Sequence, residues 1–136
     1  LSIRGGETAE LLGYDLDRSA SKPGEALQLT LYWRALGPSD ISYTVFTHLL
    51  DAGGAVRGQS DSVPVRGERP MTDWVQGEII VDPYSITVSP DAAPGPHRIE
   101  VGIYDPANGR RLPLITADGA SLPDHRLLLE EAILIE

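Results

Sequence analysis

A strict alternation of side chains from Leu27 to Arg34 constrains the fold of this chain more than any other feature of its sequence. Every odd position in this segment is apolar, and every even position carries a polar group. Successive side chains of a β-strand point to opposite faces of a sheet, so this period of two predicts a strand with one buried face. The predicted inner face consists of Leu27, Leu29, Leu31 and Trp33.

The rest of the chain consists of further short extended runs, separated by turns that are rich in glycine and proline. The last run contains good helix formers, but we favour a strand because every other element is extended. Pro83 cannot donate to a sheet ladder, so its strand is predicted to lie on an edge or to be bulged there. Residues 110–115 are predicted to pair back on the strand before them. The runs occupy residues 10–16, 42–63, 79–88, 99–104, 110–115 and 126–135.

Seven or eight extended runs without an amphipathic helix predict an all-β fold. The expected architecture is an immunoglobulin- or fibronectin-like β-sandwich of seven to eight antiparallel strands. At this length the chain is expected to form a single domain over residues 1–136. The predicted core comprises Leu29, Leu31, Trp33, Val45, Ile86, Val101 and Ile103.

The segment from Ser42 to Val63 is predicted to form a hairpin that carries the most unusual polar residues of the chain. β-branched and aromatic residues precede Asp51-Ala-Gly-Gly54, which supplies the glycines that a tight reversal needs. With this turn, Leu49 is expected to face Val56 on the apolar side of the hairpin. On the other side, the expected partners of His48, Phe46 and Thr44 are Arg57, Gln59 and Asp61.

Composition excludes several classes of protein and site. The chain has no cysteine, so it holds neither a disulfide framework nor a cysteine-based zinc site. A net charge of -9 and a pI near 4.7 argue against nucleic acid or anionic lipid as a partner, because both require a positive surface. No apolar stretch approaches the roughly 20 residues that cross a bilayer, so we expect no direct membrane insertion. Because the chain begins at Leu1 without a methionine, we expect a domain excised from a longer protein.

Four segments resemble one known type of β-sandwich domain. They are Pro23-Gly-Glu-Ala-Leu-Gln-Leu-Thr-Leu-Tyr-Trp-Arg-Ala35, Tyr43-Thr-Val-Phe-Thr-His-Leu-Leu-Asp51, Trp74 with Gly77-Glu78 and Asp82, and Val101-Gly-Ile-Tyr-Asp-Pro-Ala-Asn-Gly-Arg-Arg-Leu-Pro113. In this pattern the chain is similar to the C-terminal domain of many bacterial multi-pass membrane glycosyltransferases of the dolichyl-phosphate-mannose protein mannosyltransferase type. The chain departs from that family at Gly95-Pro-His97, where the family usually has glycine, a small residue and tyrosine.

The resemblance implies a non-catalytic accessory domain on the extracytoplasmic face of a membrane protein, with a structural or interaction role. In that family the catalytic acids and the lipid-sugar site belong to the membrane portion. The membrane domain of the same parent chain is therefore an expected partner. The alternative is a carbohydrate-binding module that recognises a glycan or a glycolipid headgroup, because β-sandwich modules bind sugars with aromatic rings and polar side chains.

The sequence contains no familiar catalytic or cofactor motif. Neither a nucleophile elbow nor a phosphate-binding or dinucleotide loop occurs, and the three histidines lie in separate elements, so we expect no catalytic residue, no cofactor and no zinc site. Asp61, Glu78 and Asp82 are the acids that folding can bring together as a glycosidase pair, with a solvated rim as the alternative. Calcium stays open, although most of its candidate ligands are typical of turns. These ligands are Asp15, Asp17, Asp51, Asp105 and Asn108.

The candidate ligand site is a patch on the predicted hairpin. If His48, Gln59, Asp61 and Trp74 lie together, they offer an imidazole, an amide and a carboxylate beside an indole, which suits an array of sugar hydroxyls. The alternative is structural. In that case His48 and Asp61 bond to each other or to the loop of residues 64–70, and they hold this loop on the sheet.

Overall fold

The computed structural model describes residues 1–136 and contains eleven β-strands and two single-turn 3-10 helices. The 3-10 turns span Met71–Asp73 and Pro123–His125. The strands are β1 (Ile3–Gly5), β2 (Ala9–Leu16), β3 (Ala20–Ser21), β4 (Ala26–Ala35), β5 (Thr44–Leu50), β6 (Val56–Gln59), β7 (Ile79–Thr87), β8 (Gly95–Tyr104), β9 (Leu114–Thr116), β10 (Leu127–Leu128) and β11 (Ile133–Ile135).

The strands form two sheets that pack face to face. The five-stranded sheet has the order β7-β4-β2-β1-β9, and the six-stranded sheet has the order β3-β11-β8-β5-β6 with β10 also beside β8. All pairs are antiparallel except the pair of β11 with β3. The predicted all-β sandwich is confirmed, with eleven strands instead of seven or eight. The additional strands are two or three residues long, which is too short to show a hydrophobic period.

The predicted core lies between the two sheets. The inward positions of β4 from Leu27 to Leu31 are completely buried, and Trp33 follows them at 2% exposure. Burying each of these aliphatic side chains contributes about 1.5–3 kcal/mol, which makes β4 and its neighbours the main source of stability. All seven predicted core residues are buried, namely Leu29, Leu31, Trp33, Val45, Ile86, Val101 and Ile103.

β5 and β6 form the predicted hairpin, but their register differs from the prediction. The expected Leu49–Val56 pair is wrong because a bulge follows Leu49 and shifts the pairing beyond it. Gly58 lies opposite Leu49, and a Cβ atom there would lie 2.6 Å from the carbonyl oxygen of Thr87, so this position requires glycine. The observed pairs are His48–Gln59, Leu49–Gly58 and Leu50–Val56.

The C-terminal part of the chain is shared between the two sheets. Arg111 forms a single bridge to Tyr104, after which the chain crosses over and β9 pairs with β1. The predicted return of residues 110–115 onto β8 is therefore correct only at Arg111. The last run is extended, as predicted, but it is divided into two short strands that both pair with β8. Pro83 lies on the edge strand β7, as one of its two predicted placements requires.

His97 occupies the position where the resemblance leads us to expect an aromatic core residue. Its side chain is buried with the inward face of β8, and the residue is only 3% exposed. Nδ1 lies 3.0 Å from the carbonyl oxygen of Gly95 and therefore donates to it, while Nε2 is buried without a partner. This unpaired acceptor costs stability, because buried polar atoms are normally hydrogen-bonded.

The long connection between β6 and β7 crosses the surface, as its prolines predict. Hydrogen bonds and buried side chains fix it to the core beneath. The backbone N–H of Val65 donates to Asp82 Oδ1 at 2.7 Å. Trp74 is 1% exposed, and its Nε1 donates to the carbonyl oxygen of Arg69 at 2.9 Å. Met71 is completely buried beside the same core. The connection therefore closes one end of the sandwich.

Candidate functional site

An open cleft of about 730 Å³ lies on the outer face of the six-stranded sheet. Its floor is formed by β5 and β8, and its rim includes the turn that precedes β10. Most of the residues that line the cleft are polar or charged. The polar lining residues are His48, Glu100, Arg111, Asp124, His125 and Arg126.

Glu100 lies at the centre of this cleft and is only 4% exposed. Its Oε1 accepts a hydrogen bond from Arg126 Nη1 at 2.9 Å, and its Oε2 accepts one from His48 Nδ1 at 2.8 Å. Arg111 Nη2 lies 3.5 Å from the same Oε2. Burial alone raises the pKa of Glu100, but the hydrogen bonds from Arg126 and His48 and the charge of Arg111 outweigh it and leave this pKa below its ordinary value.

His48 lies between two carboxylates. It is the cross-strand neighbour of Glu100 on β8, which places Nδ1 against that side chain, and Nε2 lies 3.1 Å from Asp61 Oδ1. Ionised carboxylates only accept hydrogen bonds, so the protonated ring donates from both nitrogens, one to each carboxylate. The hydrogen bond to Asp61 raises the pKa of His48, burial opposes this, and the bond to Glu100 adds to the increase.

Phe46 forms an aromatic base beside these charges. Its ring centroid lies 5.0 Å from that of His48, and the Arg111 guanidinium carbon lies 4.4 Å above the ring. The neighbouring position on β8 is Gly102, where a Cβ atom would lie 2.2 Å from the tip of the Phe46 ring. Glycine thus lets the ring lie flat across the sheet, and the cation–π contact holds Arg111 over it.

The rim of the cleft contains two consecutive residues in the left-handed backbone region. Asp124 has φ 59° and His125 has φ 50°, although neither is glycine. The turn is held by Arg111, whose Nη1 donates to the carbonyl oxygen of Asp124 at 3.1 Å. Arg126 Nη2 lies 3.7 Å from the Asp124 carboxylate. Strained backbone of this kind persists only where surrounding contacts fix it, and here Arg111 supplies such a contact.

The structure brings together three of the four residues predicted as a ligand patch. Gln59 is the cross-strand neighbour of His48, and Asp61 bonds to His48 directly. Trp74 is not part of this patch, because it is buried under the connection and offers no ring face to a ligand. In the structural alternative, His48 and Asp61 bond to each other or to the loop of residues 64–70. The bond between His48 and Asp61 is observed, whereas the loop is bound by Asp82.

The acids considered as a catalytic pair have separate partners. Asp61 is bound to His48, as described. Glu78 accepts from Arg69 Nη2 at 2.9 Å and from the backbone N–H of Val75 at 2.7 Å. The Glu78 pKa is lowered by the backbone hydrogen bond first and the Arg69 hydrogen bond second. The third acid, Asp82, is buried on the inner side of β7.

Three of the five oxygen ligands considered for calcium make local bonds, whereas Asp15 and Asp17 accept from the Tyr32 hydroxyl and the Gln28 backbone N–H of β4. Asp51 Oδ1 accepts from the backbone N–H groups of Gly53 and Ala55, and Asp105 and Asn108 accept from residues two positions later. These are the turn bonds that the sequence alternative predicted. No group of three or more histidine, aspartate or glutamate side chains is arranged to hold a metal ion.

No protein-family model matches this chain, and no curated protein matches it. The similarity to the C-terminal domain of membrane mannosyltransferases therefore stays a prediction from the sequence. None of the helices in the structure is long and apolar enough to span a membrane.

Proposed function

We propose that this chain is a non-catalytic binding domain and that the cleft around Glu100 is its ligand-binding surface. The observation that carries this proposal is the pre-assembled set of donors around one buried carboxylate. Arg126 and His48 bond to Glu100, and Arg111 is fixed over Phe46. Because these side chains are held by each other, they are positioned before a ligand arrives, which lowers the entropy cost of binding.

The same contacts favour binding over catalysis. Both nitrogens of His48 lie against carboxylates, and these contacts favour the protonated ring, which has no lone pair with which to act as a general base. Glu100 is ionised and faces three cationic groups, which makes it a poor proton donor. We therefore assign these residues to ligand recognition.

The accessory role and the extracytoplasmic location are part of the same proposal and rest on the resemblance described above. In this view, the domain belongs to a larger membrane glycosyltransferase-like protein. Its partner is then the membrane domain of that parent chain.

A carbohydrate-binding module is the second candidate, and the shape of the cleft favours it. A volume of about 730 Å³ lies within the range of sites for small ligands. A smaller hollow of about 210 Å³ shares His48 and Arg111 with the cleft and is lined by the half-buried Tyr104. Tyr104 takes the place that was predicted for Trp74, since it is the aromatic ring accessible beside these donors.

Titration with a panel of glycans, followed by backbone and side-chain NMR, tests the two candidates. Tryptophan fluorescence is unsuitable because both indoles are buried. Saturable shifts confined to His48, Arg111 and Tyr104 are expected for a sugar site. If no glycan shifts these signals at millimolar concentration, the carbohydrate candidate is wrong. Turnover of a glycosidic, ester or phosphate substrate that His48→Gln abolishes would contradict the non-catalytic role.

A further inference from the structure

We propose that the cleft binds an oxyanion, a carboxylate, sulfate or phosphate group of its ligand, between Arg111, Arg126 and His125. This inference deepens the binding role proposed above and rests on it. It names the charge of the group that enters the cleft, which the binding role by itself leaves open.

The first argument is the local balance of charge. The chain carries a net charge of -9, yet Glu100 is surrounded by Arg111, Arg126 and the His48 imidazolium. Both oxygens of Glu100 face these cations, and its side chain is only 5% exposed, so it presents little negative surface to the cleft. Asp61 balances His48 from the other side. The exposed Asp124 carboxylate lies 3.7 Å from Arg126 Nη2 and offsets part of this positive charge, so Arg111, whose nearest carboxylate oxygen is 3.5 Å away, is the cation left open to a ligand.

The second argument is that both guanidinium groups keep free donors. Arg111 uses Nη1 for the Asp124 carbonyl oxygen, and its nearest carboxylate oxygen is 3.5 Å away, beyond a good hydrogen bond. Its Nε–H has no partner within the protein. Arg126 uses Nη1 for Glu100, while its Nη2 is 3.7 Å from the solvent-exposed Asp124 carboxylate. An oxyanion accepts from such guanidinium edges with two parallel bonds.

The third argument is that contacts within the protein fix Arg111 and the turn that carries His125. Stacking on Phe46 fixes the plane of Arg111, and Arg111 in turn holds the strained turn at Asp124 and His125. His125 lines the cleft from this turn. The lowered pKa of Glu100 is consistent with a positive potential at the floor that is strong enough to overcome burial.

The test is an NMR titration of the whole chain with inorganic sulfate, glucuronate and glucose. Sulfate and glucuronate are expected to shift the signals of Arg111, His125 and Arg126 saturably, and glucose is not. Arg111→Gln is expected to weaken sulfate binding at least about ten-fold, because it removes a charge-assisted pair. Arg110→Gln is the matched control, since it makes the same change at the adjacent position, which is exposed and has no side-chain partner. It is expected to leave the affinity unchanged within about two-fold.

A second variant keeps the test valid if Arg111→Gln fails to fold. His125→Asn removes the imidazole and retains a residue that tolerates the left-handed conformation, so the turn is preserved. It is expected to weaken sulfate binding about three-fold. Glucuronate binding tighter than sulfate would assign the oxyanion to a sugar, and the reverse order would assign it to a free anion. Either order supports the proposal.

Three results would overturn the oxyanion proposal. Saturable binding of glucose at the cleft without any response to sulfate or glucuronate would leave the binding role intact and exclude the oxyanion. Equal loss of affinity in Arg110→Gln and Arg111→Gln, or shifts located elsewhere, would show only diffuse attraction to positive charge. Absence of saturable binding by all three ligands would exclude the oxyanion site, and the glycan panel would then decide separately on the binding role.

Discussion

Asp82 and Glu100 are two carboxylates buried in the middle of strands, one in each sheet, and their surroundings are opposite in kind. Asp82 is completely buried on the inner side of β7, and all of its partners are neutral. Trp33 Nε1 donates to it at 3.1 Å, the Tyr84 hydroxyl at 2.8 Å and the Val65 backbone N–H at 2.7 Å. Burial raises the pKa of Asp82, and these three hydrogen bonds offset the increase only in part.

Glu100 faces outward from β8, and its side-chain partners are cationic. Arg126 and His48 bond to it, and Arg111 lies close by. Its pKa is lowered, because the hydrogen bonds and the charge outweigh burial. Asp82, with neutral donors, holds the loop through Val65. Glu100, with cationic partners, is the counter-ion of Arg126, His48 and Arg111. The charge of the partners, and not burial itself, therefore sets the opposite directions of the two pKa shifts.

Removing the Asp82 carboxylate should have the largest effect on the free energy of unfolding. Asp82→Ala leaves the N–H groups of Trp33 and Val65 without an acceptor in the core, and the hydroxyl of Tyr84 keeps only the carbonyl oxygen of Ser62, at 3.5 Å. We expect a loss of about 3–5 kcal/mol, measured by denaturant unfolding at neutral pH. Because Val65 loses its anchor, amide hydrogen exchange should also increase in residues 64–70.

Asp73→Ala is the matched control for this prediction. Asp73 is an exposed acid in the 3-10 turn of the same connection, and it makes no side-chain hydrogen bond. Its replacement should change stability by less than about 0.5 kcal/mol. Similar losses in both variants would mean that Asp82 does not anchor the connection.

Neutralising Glu100 should have a smaller effect on stability and an opposite effect on the cleft. Glu100→Gln removes the buried carboxylate that Arg126, His48 and Arg111 share, so we expect the free energy of unfolding to fall by about 1–3 kcal/mol. The same change raises the positive potential of the cleft, and sulfate should bind more tightly. A variant that is destabilised and also loses sulfate affinity would contradict the assignment of Glu100 as a counter-ion.

Most of the fold was predictable because the long strands carry a clear period. The alternation in β4 predicted its buried face at every position, and the prolines predicted the long surface connection. The short strands β1 and β3 were missed because two or three residues do not reveal a period. The register of the hairpin was missed because the pairing shifts at a bulge between Leu49 and Leu50, and the alternation of side chains does not reveal an extra residue.

The site was predictable only in its hairpin half. His48, Gln59 and Asp61 lie together because they are neighbours across one pair of strands. Glu100 was missed because an outward glutamate in an alternating strand predicts exposure to solvent, and nothing local indicates that Arg111 and Arg126 cover it. Trp74 was placed wrongly in the patch because its sequence does not distinguish a ring that stacks on a ligand from one that closes the core.

The smallest expected effect is the contribution of His48 to the pH dependence of folding stability. It bears on the comparison of Glu100 with Asp82, because Asp82 has no titrating cationic partner. The folded pKa of His48 lies above its ordinary value of 6.5. The charged ring therefore stabilises the fold fully below 6.5, and this contribution is lost as the pH rises through the higher folded pKa. Above that value, one ring nitrogen presents a lone pair to Asp61 or Glu100, while Arg111 and Arg126 keep their charge.

Unfolding measurements across this pH range should show a falling stability in the wild type and a flatter profile in His48→Gln. The difference should be about 1 kcal/mol or less, as for other partly exposed ion pairs. Titrating groups that do not contact His48 affect both proteins equally, and the Glu100 pKa lies below its ordinary value, so the difference profile above pH 6.5 isolates His48. In a Glu100→Gln background one of the two carboxylates is absent, and the fall should move to lower pH. Identical profiles with and without His48 would show that its two carboxylate contacts do not hold a charged ring in solution.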